Sequence, residues 1–240
     1  MTVKSIWLRR IHKWVGLVIG LQFVLWTISG AAMALLDMET VAGGPRPEGI
    51  EAALSGEATG WRTIVDQIDL EKVEGLRLKT LLDRPVVEVR TARSTRMFDA
   101  RTGEQVRITA AAARTIAQSN HPSKASPGAA KLLTERSLPV REHEPPIWQV
   151  EFADEDASTY YVSATTGAVL ERRNDTWRWW DFFWMLHNMD YSDRTSFNHP
   201  LIITAGMAMA WLAVTGFWLL FRTMWRHDFA WLRRRRTRQA

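Results

Sequence analysis

The 240-residue sequence contains no cysteine. This excludes disulfides, thiolate metal sites, iron–sulfur clusters and covalently attached c-type haem. Any metal or cofactor would have to be held by histidine, carboxylate or methionine. We also find no sequence pattern for a nucleophile with its base, or for a pair of catalytic carboxylates. Gly43-Gly44 is not a phosphate-binding loop, because it precedes a proline and belongs to a linker. We therefore expect a cofactor, and not side chains alone, to supply any chemistry.

The sequence also lacks charge in two long stretches, residues 14–36 and 201–221. About 20 apolar residues are enough for a helix to cross the hydrocarbon core of a bilayer, so each stretch predicts a transmembrane helix. The first stretch is longer than the apolar core of a signal peptide, and no small-x-small cleavage site follows Leu36. We therefore expect it to be a retained anchor.

Basic residues flank both stretches. They are Lys4, Arg9, Arg10 and Lys13 before the first, and Arg222, Arg226, Arg233–Arg236 and Arg238 after the second. Because Lys and Arg concentrate in cytoplasmic segments, we predict a bacterial inner-membrane protein with both termini cytoplasmic and its centre periplasmic. The net charge of +5 comes from these flanks, which favours contact with the anionic lipid bilayer over binding to nucleic acid.

These features divide the chain into predicted segments. They are a cytoplasmic segment (1–13), transmembrane helix 1 (14–36), a linker (37–57), a periplasmic domain (58–176), an interfacial aromatic helix (177–191), transmembrane helix 2 (200–222) and a basic cytoplasmic tail (223–240). The interfacial helix is predicted because its own Trp and Phe residues, which favour the headgroup region, are spread over all of its faces.

The central domain contains an internal repeat. Helical patterns at 61–68 and 110–118 precede strand-like runs that reach matching turns, FDARTG at 98–103 and VSATTG at 162–167. The glycine of each turn can adopt the positive φ that the turn requires. The predicted fold is α+β: two transmembrane helices enclose two helix-plus-antiparallel-sheet units, each too small to bury its faces alone.

Several motifs resemble a known family. Tyr160–Leu170 (YYVSATTGAVL) is similar to the PepSY domain. The motifs that resemble PepSY-associated transmembrane proteins are Leu8–Leu17 (LRRIHKWVGL), Ser29-Gly30, Leu186–Tyr191 (LHNMDY), Phe197–Leu201 (FNHPL) and Thr215-Gly216. Larger members of this family carry four or more spans and include iron-regulated siderophore reductases with b-type haem. The resemblance therefore implies a periplasmic PepSY-type domain and a haem-binding membrane region.

His12 shares a helix face with Gly16 and Gly20, which form a GxxxG motif that lets a second helix approach closely. Three interpretations are open: His12 is a haem ligand, a polar contact between helices, or a residue solvated at the headgroups. As a ligand it would pair with His227 or with His12 of a second chain. His227 is otherwise a juxtamembrane residue among cations.

His187 lies among aromatic residues, and His199 precedes Pro200 at the start of the second span, whose small-residue face includes Gly206. Both imidazoles are predicted near the outer leaflet, where two of them could hold a six-coordinate b-type haem. The alternative for His187 is a helix that lies on the outer leaflet without a cofactor.

A ligating His187 would need an acceptor for its second ring N–H, and Asp181 or Asp190 is the expected partner. The other two histidines, His121 and His143, lie in the periplasmic domain. His143 is expected in a polar loop, and His121 has no evident ligand partner.

We therefore predict a membrane-anchored electron-transfer protein with haem b, whose iron would be held by His12, His187 and His199. An electron donor would be another protein or quinol, and a ferric siderophore is the acceptor that the resemblance implies. Two spans favour a homodimer with a four-helix membrane core, or a larger membrane complex. The alternative is a PepSY binding or regulatory module, or an accessory subunit, anchored without a cofactor.

Overall fold

The computed structural model describes the backbone of residues 3–44, 59–123 and 125–236, and the side chains of these residues between 6 and 222. The chain forms two compact units. The membrane unit comprises the chain up to Leu35 and from Asp181 onward, and the central unit comprises Leu36–Trp180.

The described chain has helices towards both ends and two groups of four strands between them, separated by one helix. The helices are α1 (Val3–Leu35), α2 (Met38–Val41), α3 (Trp61–Val65), α4 (Ala110–Ser119), α5 (Asp175–Asn188) and α6 (Pro200–Arg236). The strands are β1 (Val73–Leu81), β2 (Arg84–Thr91), β3 (Thr95–Asp99), β4 (Gln105–Val106), β5 (Pro127–Leu133), β6 (Ile147–Phe152), β7 (Thr159–Ser163) and β8 (Val169–Arg173). Single 3₁₀ turns occupy Leu70–Lys72 and Leu138–Val140.

Two helices are long and apolar enough to cross a membrane: Ile6–Leu35 of α1 and Pro200–Arg222 of α6. Only 6% of the residues in the most apolar window of each are buried within the protein. A core helix of a water-soluble protein would bury one apolar face, so these helices have the surface of segments that lipid surrounds.

Both long helices extend beyond the predicted spans. Helix α1 extends back to Val3, the first residue described, through a segment that contains no proline or glycine. Helix α6 begins at Pro200, where the missing N–H costs nothing, and continues through the basic segment to Arg236. Helix α5 ends at Asn188, since Met189 has a φ of 56°, the left-handed conformation that commonly follows a helix.

The central unit contains the two predicted repeats. Strands β1 to β4 form one antiparallel sheet in sequential order, and β5 to β8 form a second. Each sheet has its own helix, α3 in the first repeat and α4 in the second. The α+β prediction is thereby confirmed.

Strand β2 is buried on both faces. Val87 and Val89 pack with Ile64 and Phe98 in the core of the first repeat. Val86 points to the opposite face and joins a larger cluster with residues of the second repeat, namely Ile108, Ala113, Ile116, Ala117, Val150, Phe152, Tyr160 and Val162. The two repeats therefore share a core, as expected if neither can bury its sheet alone.

The two matching turns have the same structure. Gly103 has a φ of 77° and donates its N–H to the Asp99 carbonyl, and Gly167 has a φ of 66° and donates to the Ser163 carbonyl. The side chains at the equivalent positions, Asp99 and Ser163, accept the N–H groups of the two residues that lie second and third after them. The sequence repeat is thus a repeat of backbone conformation.

We expect Gly103→Ala to destabilise the central unit by about 1–3 kcal/mol, because a Cβ at this positive φ would be strained. The Cβ would also lie 2.5 Å from Thr63 Cβ and 2.6 Å from the Gly60 carbonyl oxygen. Gly75→Ala is the matched control: it has an ordinary φ, and its nearest contact would be 3.5 Å. Thermal unfolding of the full-length protein by circular dichroism measures both, and equal melting temperatures would contradict this account.

Candidate functional site

The two candidate spans pack antiparallel within the membrane unit. His12 near the start of α1 contacts Thr215 of α6, and Gly16 one turn later lies opposite Leu212. A Cβ on Gly16 would be 3.8 Å from a Leu212 methyl group, which is ordinary van der Waals contact. The predicted close approach at Gly16 is thus an approach to the second span of the same chain.

His12 is held between a hydroxyl group and a glycine. Its Nδ1 lies 2.7 Å from Thr215 Oγ1, and its ring lies over Gly216, where an added Cβ would be 3.5 Å from Cε1. The Trp211 ring is 6.2 Å away between centroids. The side chain is half-buried, so the imidazole lies against α6 and not in the open headgroup region.

His187 is held in the same way at the other end of α1. Its Nδ1 lies 3.1 Å from Ser29 Oγ, and an added Cβ on Gly30 would be 3.2 Å from its Cε1. The Trp26 ring is 6.5 Å away between centroids. Ser29 is fully buried, so this contact links α5 firmly to α1.

Both histidines therefore meet a hydroxyl residue followed by glycine, Ser29-Gly30 or Thr215-Gly216. Within the described side chains, the Nε2 atoms of His12 and His187 have no hydrogen-bond partner. The two contacts on α1 are separated by 17 residues, or about 26 Å at 1.5 Å per residue. This is close to the hydrocarbon thickness of about 30 Å, so a bilayer around the two helices would have one imidazole near each of its edges.

The structure gives His199 a different environment. It precedes Pro200 at the start of α6, and its Nδ1 accepts the Leu201 N–H at 3.4 Å. No hydrogen bond or ring contact joins it to His187 within the described part of the chain. The backbone of His227 belongs to α6, but its side chain lies outside the described residues.

The remaining predicted packing glycines are open. A Cβ on Gly20 or on Gly206 would meet nothing within 4 Å. Gly20 lies one turn beyond Gly16 on α1, and Gly206 lies about two turns before Leu212 on α6. Because the helices are antiparallel, both glycines lie at nearly the same level along the helix pair. The space beside them could accommodate a flat cofactor ring or a second chain.

Asp181 and Asp190, the expected partners of His187, have other roles. Asp181 is 2% exposed and forms an ion pair with Arg194, whose Nη1 is 2.5 Å from Oδ2. Asp190 accepts the backbone N–H groups of Asp193 at 3.2 Å and Thr195 at 3.0 Å. The hydrogen-bond partner of the His187 ring is the Ser29 hydroxyl group, and neither of the two carboxylates expected from the sequence.

Asp190 organises the loop that leads to α6. Burial opposes ionisation of its carboxyl group, but the backbone N–H groups of Arg194, Thr195, Ser196 and Asp193 outweigh burial and lower its pKa from 3.8 to about 2. The carboxylate therefore fixes the path of the chain between His187 and His199.

The two histidines of the central unit are occupied by structural contacts. His121 donates from Nε2 to Asp154 at 3.0 Å, stacks on Phe152 at 4.2 Å between centroids, and accepts the Ser123 N–H at Nδ1. His143 hydrogen-bonds Glu171 at 2.9 Å. His121 therefore has a partner at both ring nitrogens, whereas only the Nε2 atom of His143 has one among the described residues.

The residues of the membrane unit fit b-type haem in their chemistry. Haem requires one or two axial imidazoles and an apolar slot, and it does not require a cluster of carboxylates. No group of three or more His, Cys, Asp or Glu side chains that could hold a bare metal ion occurs among the described residues. His12 and His187 each offer one nitrogen, so a haem held by two imidazoles at either edge would need a second imidazole from elsewhere.

Comparison with known proteins gives one finding. The model of the family described as PepSY-associated TM region matches residues 9–240. Neither the curated proteins nor the solved structures gave a match.

Sequence reasoning missed the roles of Ser29 and Thr215. Each is a small hydroxyl residue directly before a glycine within an apolar run. The recurrence of this pair in both spans is the signal that could have identified them.

We expect Asp190→Asn to destabilise the loop by about 1–3 kcal/mol at neutral pH. The NH2 group that replaces one carboxylate oxygen cannot accept a hydrogen bond from the loop backbone. A carboxyl group whose pKa is lowered by folding stabilises the fold at pH values above its unfolded-state pKa of 3.8. That stabilisation is lost as the pH falls from 3.8 towards 2. The wild-type advantage in melting temperature should therefore shrink in that window. Asp193→Asn is the control, since Asp193 is exposed. An advantage that persists unchanged to pH 2 would contradict the assignment.

Proposed function

The chain belongs to the family of PepSY-associated transmembrane regions, and from this premise we propose that it is a membrane electron-transfer protein that holds b-type haem. The single observation that carries the proposal is the pair of imidazoles, His12 and His187, at opposite edges of the candidate spans. Each is half-buried, fixed at Nδ1 by a hydroxyl group, and unpartnered at Nε2 among the described residues.

In the membrane, a polar group without a partner is costly, and intramembrane ionisable residues generally serve a function. His121 of the central unit shows the outcome for a histidine with both ring nitrogens engaged, because Asp154 and Ser123 occupy them. The open nitrogens of His12 and His187 thus favour a ligand that arrives from outside the single chain.

A bound b-type haem with iron held by two imidazoles would carry one electron at a time and leave no open position for oxygen. His12 and His187 would each supply one axial nitrogen. Gly20 and Gly206 leave space between these levels. The exposed apolar side chains of α1 and α6 would exclude water from the same region.

The second imidazole at each level comes, in this proposal, from a second copy of the chain. One chain presents one open imidazole at each edge, so the site is incomplete without a partner. A two-fold axis along the membrane normal would bring equivalent histidines together at both levels. The in-chain alternatives are His199 at the outer level and His227 at the inner level.

The proposed orientation of the two spans follows from the charge distribution. With the arginine-rich flanks in the cytoplasm of a bacterial inner membrane, His12 lies at the cytoplasmic edge and His187 at the periplasmic edge. Quinol or another protein would supply electrons, and an acceptor on the periplasmic side, such as a ferric siderophore, would receive them. The central unit would then bind that acceptor or its carrier.

The test is the absorption spectrum and haem content of the full-length protein purified from haem-replete membranes. We expect a sharp, reducible Soret band. His12→Ala and His187→Ala should each remove about half of the haem, because each change removes the ligands of one level. His143→Ala, which alters a histidine of the central unit, is the control and should leave the spectrum unchanged.

His199→Ala distinguishes the two possible sources of the second imidazole at the outer level, the partner subunit and His199 of the same chain. If the partner subunit supplies the second imidazole, the haem content remains as in the wild type. If His199 supplies it, the content falls as it does for His187→Ala. Colourless wild-type protein, or a Soret band that survives the loss of both His12 and His187, would refute haem binding and leave a membrane-anchored recognition module.

The homodimer has a separate test, since the chain has no cysteine and an introduced thiol is unique. We expect Gly20→Cys or Gly206→Cys to give a disulfide-linked dimer when membranes are oxidised, because both positions are open. Gly16→Cys is the control and should cross-link poorly, because Gly16 faces Leu212 of its own chain. Monomer alone at both open positions would contradict a dimer through these faces.

A further inference from the structure

We propose that Ser29 and Thr215 are positioning residues that hold His187 and His12 in one tautomer, with the ring proton on Nδ1 and the lone pair on Nε2. This inference deepens the proposed function and rests on it for its purpose, since the Nε2 lone pair is what an iron atom would bind. The geometry behind it can be tested without any cofactor.

The first step concerns the hydroxyl protons. Ser29 Oγ lies 2.7 Å from the Leu25 carbonyl oxygen, and Thr215 Oγ1 lies 2.8 Å from the Trp211 carbonyl oxygen. Two oxygen atoms this close require a proton between them, and a carbonyl has none to give. Each hydroxyl group therefore donates to the backbone of its own helix.

The second step concerns the imidazoles. A hydroxyl group has a single proton, so Ser29 and Thr215 must act as acceptors towards the rings. The Nδ1 atoms of His187 and His12, at 3.1 Å and 2.7 Å, must then carry the protons. In a neutral imidazole the other nitrogen is unprotonated, so Nε2 presents its lone pair.

The glycines complete the arrangement. A Cβ on Gly30 would lie 3.2 Å from His187 Cε1, and one on Gly216 would lie 3.5 Å from His12 Cε1. The absence of a side chain lets each ring lie close to the helix that carries its hydroxyl group. Hydroxyl and glycine together fix the position, the plane and the tautomer of the ring.

Other residues of the same chain provide contrasts. Thr27 and Thr204 donate to the carbonyl oxygens of Phe23 and Pro200 in the same way, but no hydrogen bond joins either of them to a histidine among the described side chains. His199 has the opposite arrangement, because its Nδ1 accepts a backbone N–H. The neutral form of His199 therefore carries its proton on Nε2.

The first experiment measures the tautomers in the full-length chain prepared without haem, with ¹⁵N-labelled histidine in detergent micelles. We expect the His187 and His12 signals, assigned by His→Gln variants, to show a protonated Nδ1 and an unprotonated Nε2. Ser29→Ala should convert the His187 signal to mixed tautomers, and Thr215→Ala should do the same for His12. The conservative variants Ser29→Thr and Thr215→Ser keep a hydroxyl group and should retain the wild-type signals.

The second experiment uses the haem-loaded protein. Loss of an outer-shell hydrogen bond typically lowers metal affinity about 10–100-fold, and we expect this range for haem in Ser29→Ala and Thr215→Ala. The midpoint potential should rise, because an imidazole whose Nδ1–H is no longer hydrogen-bonded donates less charge to ferric iron. Thr27→Ala and Thr204→Ala are the matched controls, with wild-type affinity and potential.

The outcomes separate this inference from the proposed function. Wild-type protein that binds no haem but shows both Nδ1–H tautomers, lost in the alanine variants, would support the positioning role and refute haem binding. The positioning role would be overturned if either histidine ring of the wild type were protonated on Nε2. It would also be overturned if the alanine variants had the same tautomers and midpoint potential as the Thr27→Ala and Thr204→Ala controls. If the alanine variants fail to fold, the conservative variants decide: loss of the Nδ1–H tautomer of His187 in Ser29→Thr, or of His12 in Thr215→Ser, would also overturn it.

Discussion

The lipid interior offers no water to a polar side chain, so a partner inside the protein stabilises such a group on a spanning helix. For the Nδ1 atoms of His187 and His12, the partners are the Ser29 and Thr215 hydroxyl groups. They bind two imidazoles and fix the axial register of helices α1, α5 and α6. The rest of the membrane unit depends on these two contacts, because the exposed apolar surfaces of α1 and α6 provide little register of their own against lipid.

Helix α5 and its following loop are constrained by charge. Asp190 collects backbone N–H groups from the loop, and the ion pair of Asp181 with Arg194 ties the same loop back to α5. These contacts determine where α6 begins and where His199 lies. The aspartates thus support the site through the backbone, whereas the hydroxyl residues act on the imidazoles directly.

The central unit follows a different principle. Its two repeats share one core, so strand β2 buries Val86 with the second repeat and Val87 with the first. Its two histidines are engaged by Asp154 and Glu171. The central unit is thus held together by its shared core, and the imidazoles that lie on spanning helices belong to the membrane unit. Under the proposed function, electron transfer would take place in the helices and acceptor binding at the sheets.

The sequence by itself determined the two spans, the repeat and the turns, because hydropathy and the φ of glycine are properties of single segments. Only the tertiary structure decided which groups meet. Ser29 and His187 are 158 residues apart, and His12 and Thr215 are 203 apart. Asp181 and Asp190 were the expected partners of His187 because a carboxylate is a common acceptor for a ligating histidine. The rotation and register of packed helices gave that role to a serine, and no local pattern encodes either quantity.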